Sequence, residues 1–315
     1  MIRLASVLAT VLLIAFSSLH RWKPAPKTEA TADSARATAE KLAALRAEIA
    51  TLASKAAQEQ AQDVAATRVE VRSLLARFSG EAEACAQQAA RPFQGFGNVS
   101  NCIYMGGKDQ VFGGHRLPDY ISASMQPATD LLHDAERQVG NQLEALRQRS
   151  LARANRFISR TLSATAAARL EPAALGCSPA EVGKLAGQAN QVCSHEITAA
   201  LTLAMEAIFL KANYAAIRQV VERLIEREAA SLTAAGVAAL ADGPLPIGEI
   251  IGACVVVGGA AWTAWDVRKA VTTYRALPGQ IHTSLLGLLN SLGHQADQSL
   301  DAFTPAFAPV YAVTK

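Results

Sequence analysis

Aromatic residues are scarce in this 315-residue chain, at 5%, and charged residues reach only 18%. With half of all residues hydrophobic and most of those Ala or Leu, small side chains favour close helix packing over a bulky globular interior. The net charge of +3 is slight, and Lys and Arg read as interspersed with Asp and Glu along the helices, so no basic block argues for nucleic acid. Proline is missing from Ala35 to Ala90, where Gly80 is the one glycine, and nothing there interrupts a long helix.

Signatures of chemistry are missing too. Gly107-Lys108 sits in a near-phosphate-loop setting, but Cys102 stands where that motif needs Gly and Asp109 where it needs Ser or Thr. His195-Glu196 opens a zinc-protease helix pattern whose second His is replaced by Ala199. There is no GxSxG elbow, and the histidines at 20, 115, 133, 195, 282 and 294 lack ligand spacing; His133, Asp134 and Glu136 read as the solvated first turn of a helix. The expectation is a non-enzymatic protein with no catalytic residue, metal or cofactor.

Long apolar runs are what the chain does have. Leu4 to Leu19 carries no charge and is bracketed by Arg3 and by His20, Arg21 and Lys23, so residues 1–23 read as a transmembrane anchor or as a signal sequence cut near Ala15-Phe16-Ser17. The second run is Gly243 to Trp265. As a helix, Ile247 to Trp265 spans roughly 28 Å, close to the hydrocarbon thickness of about 30 Å. Trp262 and Trp265 suit an aromatic belt, and Arg268, Lys269 and Arg275 follow, which places the C-terminal side in the cytoplasm and the middle of the chain outside it. Arg21, Lys23 and Lys27 oppose that topology. Glu249, in the first turn after Pro246, fits the headgroup region, where the positive end of the helix dipole favours it. Gly248, Gly252 and Gly259 share one face and offer a smooth packing surface, either to the N-terminal run with its Ala5 and Ala9 or to a second copy. Membrane lipid and a protein partner or homo-oligomer are therefore the expected partners, at an inner membrane with most of the chain periplasmic.

Between the runs, 24–35 reads as a linker and 36–242 as an extracytoplasmic helical bundle. Leu42, Leu45, Ile49 and Leu52 keep 3-4-3 spacing, and Val64, Val71, Leu74 and Phe78 resume it after a phase break. Leu132, Ala135, Val139, Leu143, Leu146, Ala154 and Phe157 make a second stripe, interrupted by polar Ser150, on a helix returning antiparallel. The Gly-rich connection 92–127 reads as an elaborated tip with a small hairpin, and as either a binding surface or an ordinary connection. Ser178-Pro179-Ala180-Glu181 is a helix start, and Ser194 offers another. The segment 243–266 is then followed, in 267–315, by an amphipathic helix through Ile281, Leu285, Leu288, Leu292 and Leu300 and by a loose tail holding Pro305 and Pro309.

Cys85, Cys102, Cys177 and Cys193 fall in the region assigned outside the cytoplasm, which predicts two disulfides, preferably 85–102 and 177–193. The second pair needs a chain reversal, since one continuous helix sets its members about 24 Å apart. The fold expected is all-α, with long antiparallel coiled-coil-like helices between two membrane contacts. The role expected is a scaffold or tether of the cell envelope; the alternative is a secreted protein that inserts into membranes as pore-forming or fusogenic helices do.

Overall fold

A computed structural model describes residues 29–169, 179–201, 205–239, 272 and 274–312. All of the regular structure is helical: α1 (Glu29–Ala90), a 3-10 turn (Arg91–Phe93), α2 (Phe96–Phe112), α3 (Arg116–Ala167), α4 (Pro179–Leu201), α5 (Met205–Ala239) and α6 (Leu277–Ala312). α1 runs for 62 residues, about 93 Å at 1.5 Å per residue.

Four walls make the bundle. α1 packs on α3, α3 on α4, α4 on α6 and α6 back on α1, with α3 and α6 also touching across the centre. Each direction can be read from paired residues. Arg77 bonds Gln138 while Arg149 bonds Thr67, so α1 and α3 are antiparallel. Arg68 and Arg72 pair with Asp297, and a Cβ added to Gly293 would come within 3.0 Å of Leu75, so α6 also opposes α1. Arg147 meets Asn190, Gly140 abuts Leu201 and His133 meets Glu206, so α4 and α5 follow each other along α3 in one direction. The helix start expected at Ser194 lies inside α4 instead. Cys193, Ile197 and Ala200 are buried on either side of that point, and the apolar stripe holds the helix together through it.

The core carries the two predicted stripes. Leu45, Ile49, Ala53, Ala56, Val64, Val71 and Phe78 of α1 face Leu132, Val139, Leu143, Leu146, Ala154 and Phe157 of α3. At the phase break the core turns polar. Gln60 donates to Ser150 Oγ at 2.7 Å, Ser150 donates back to the Leu146 carbonyl at 2.8 Å, and Arg153 donates to Gln60 Oε1 at 3.0 Å. Every member of that buried layer has a partner, which is the condition under which polar groups fix register rather than weaken a core.

Two expectations fail in instructive ways. Residues 96–112 form a helix, not a hairpin, because Val99, Cys102 and Ile103 keep helical spacing and are buried, while glycines end the segment on both sides. Gly113 takes the left-handed conformation (φ 65°) that closes a helix C-terminus, and Gly95 enters at φ 91°. Likewise α6 passes through Pro305 and Pro309 to Ala312 rather than fraying. Both prolines are exposed, whereas Phe303, Phe307, Val310 and Tyr311 stay buried, so packing on one face outweighs the hydrogen bonds lost on the other.

Candidate functional site

Two places stand out on the bundle, one at the α2 end and one along its length. At the end where α1 meets α2, Phe93 is fully buried and packs edge-on against Tyr120 (5.7 Å between centroids) and tilted against Tyr274 (6.3 Å). The Tyr120 hydroxyl donates to the Pro92 carbonyl at 3.0 Å. Asp109 joins α2 to α3, its carboxylate accepting from the Leu117 amide at 2.8 Å and its carbonyl accepting from the Gly113 amide at 3.0 Å. Above this junction Phe112 is 76% exposed and Tyr104, under Lys108 Nζ at 4.5 Å, is 44% exposed. Uncovered aromatic surface supported by a packed junction is what a partner contact needs.

Nearer the other end, between α1 and α3, a cleft of about 160 Å³ is lined by Leu52, Lys55, Ala56, Glu59, Arg153, Arg156, Phe157 and Arg160. Arg153 is nearly buried and ties Glu59 (3.4 Å), Gln60 (3.0 Å) and Asp63 (2.5 Å) together. Tyr311 of α6 stacks edge-on against Phe157 at 5.6 Å, and its hydroxyl, buried, has no hydrogen-bond partner among the described residues. Burial pushes that phenol up to about 12, with Arg153 pulling it back, Glu59 adding to the rise and Arg156 opposing it. The sequence signal for this cleft was available: Arg147, Arg149, Arg153, Arg156, Arg160 and Arg169 follow one another with no Asp or Glu between them. That is a basic block, contrary to the interspersed pattern expected.

The predicted disulfide framework takes a different form. Cys85, Cys102 and Cys193 all carry free thiols, so the pair 85–102 is not made. Cys102 and Cys193 are sunk in the core and serve as small apolar side chains, and burial raises both thiols to about 12. Cys85, half-buried, is raised too, by burial and then by Glu81. Cys177 and Cys254 lie outside the described residues. Site-resolved alkylation at neutral pH is therefore expected to modify Cys85 first and to leave Cys102 and Cys193 intact until the protein unfolds. Because the folded state keeps these thiols protonated beyond their ordinary value of about 9, stability should hold level below pH 9 and decline from there toward pH 12, measured by urea unfolding across pH.

The expected membrane residues Gly248, Gly252, Gly259, Glu249, Trp262 and Trp265, and the N-terminal run, lie outside the described residues. Of the flanking helices, α6 packs along α1 and also touches α5. The Tyr274 hydroxyl approaches the Ile217 carbonyl at 3.5 Å beside Phe93, at the α2 end.

By length and composition alone, Ala180–Arg223, which contains α4 and the first part of α5, is apolar enough to cross a membrane. Its Val182, Ala186, Ala189, Cys193 and Ile197 are buried in the bundle, and 33% of its most apolar stretch is buried in all. No group of three or more His, Cys, Asp or Glu among the described residues is placed to hold a metal ion. The architecture is that of an antiparallel helical bundle with a helical tip. Comparison of the chain with protein-family models, with curated proteins and with solved structures gives no match.

Proposed function

We propose that the protein is a non-enzymatic, membrane-anchored tether or scaffold of the cell envelope. The anchor precedes α1, and the contact surface is carried at the far end by α2 and the neighbouring apolar segment. The observation that supports this reading is the separation of ends: α1 sets about 93 Å between Glu29 and the junction holding Phe93, Phe112 and Tyr274. A rod with an apolar run at each end is suited to holding two surfaces apart at fixed distance. The N-terminal run stays in one membrane, and the Gly-rich segment dips into a second surface or meets a partner through Gly248, Gly252 and Gly259.

A second reading is a secreted helical protein that inserts Gly243 to Trp265 into a target bilayer, favoured by the position of Tyr274 against Phe93, at the end of α1 remote from Glu29. The two separate at the N-terminus. Membrane fractions holding a chain that begins at Met1 support the tether; a mature chain beginning near Ser18 in the medium replaces it with the inserter. For the topology, single cysteines at Ala61, Asn101 and Asn290 are expected to react alike with a membrane-impermeant maleimide. Protection of Asn290→Cys alone would show that α6 does not share a compartment with α1.

A further inference from the structure

We propose that the cleft between α1 and α3 is an anion site that takes the phosphate group of a small phosphate ester. Lys55, Arg153, Arg156 and Arg160 surround it against one carboxylate, Glu59. Arg153 already holds Glu59 and Asp63, so the carboxylates are engaged and the excess positive charge rests with Lys55, Arg156 and Arg160. Arg156 and Arg160 are four residues apart on α3, one above the other, and Lys55 faces them from α1. Paired guanidinium forks match the oxygens of a phosphate, and an ammonium opposite supplies a point charge.

Beneath the cations the lining is apolar, with Leu52, Ala56 and Phe157. That floor suits the organic part of an ester better than it suits a free inorganic ion. The second observation is Tyr311. Its hydroxyl is a buried donor with no partner among the described residues, it stacks behind Phe157, and its nearest charges are cleft residues. Tyr311 does not itself line the cleft; it acts on a ligand there by holding the Phe157 ring and through the charges of Arg153, Glu59 and Arg156 that it shares with the lining. A cleft of about 160 Å³ admits a compact ligand and excludes a folded peptide segment.

The test uses the full chain in detergent at low ionic strength, titrated by calorimetry with phenyl phosphate and with inorganic phosphate. Phenyl phosphate is expected to bind at least threefold more tightly than inorganic phosphate. Arg160→Gln and Arg156→Gln should each weaken it about tenfold, and Tyr311→Phe a few-fold, while Arg36→Gln, an equal loss of charge on exposed α1, leaves it unchanged. Unfolding midpoints of the variants show that the fold persists. A parallel arm measures flotation with phosphatidylglycerol vesicles. Arg160-dependent vesicle binding without phenyl phosphate binding assigns the phosphate to a lipid headgroup and keeps the anion site. Absence of both, or equal weakening by Arg36→Gln and Arg160→Gln, overturns the proposal.

Discussion

Phe93→Ala is expected to destabilise the protein by about 3–5 kcal/mol, read as a drop in the urea midpoint at constant slope. Phe93 has no exposed surface and meets the rings of Tyr120 from α3 and of Tyr274 just before α6. Removing the ring leaves a cavity bounded by three parts of the chain that no other single side chain joins in the same way. Neighbouring rings can collapse into it only by shifting the Tyr120 bond to Pro92 or the Tyr274 approach to Ile217. A change below about 1 kcal/mol would mean that this junction is loosely packed, and that the α2 end is not the rigid base required by a contact surface.

Arg153→Ala should cost about 2–3 kcal/mol, through a different mechanism. The guanidinium is almost wholly enclosed, and its loss leaves the amide oxygen of buried Gln60 without its donor and separates Glu59 and Asp63 from the cation that offsets their repulsion. The carboxylates themselves are partly exposed, which keeps the loss below that of a fully buried pair. Arg153→Met, which restores the apolar stem, should recover part of it, since the side chain also packs along α1. If both variants unfold at the wild-type midpoint, the polar layer contributes nothing to holding α1 against α3 in register.

The long helices were legible because their apolar residues repeat without competition: Leu45, Ile49, Val64, Val71 and Phe78 could form only one continuous face. Ser150 was visible as a gap in the second stripe, and the phase break in α1 as a gap in the first; that the two gaps are opposite each other and bonded was not, because register is a property of the pair. The tip was misread because six glycines outweighed the spacing of Val99, Cys102 and Ile103, although Gly95 and Gly113 were marking helix ends rather than hairpin turns. The last helix was cut short because Pro305 and Pro309 were read as breakers without asking which face they occupied. The cleft leaves no mark on the overall charge, because the arginines of α3 are balanced by acids elsewhere in the chain. Which helix lies near which depends on chain direction in space, and the pairing of α6 with α1 has no signal in either stripe alone.

Arg68 and Asp301, joined across the wall between α1 and α6, are 233 positions apart in the chain. At about 5–20 residues per second a ribosome needs roughly 10–50 s to make what lies between them. For that interval the first rod is available to α3 but bare along the side that the last rod will cover, with Leu75, which lies against Gly293, open to any other apolar surface. The protein therefore reaches its final form only after its C-terminal turns emerge, and a chain stopped short of Phe303 would retain an uncovered seam, which makes holding by chaperones, or association with another copy, the natural fate of the unfinished product.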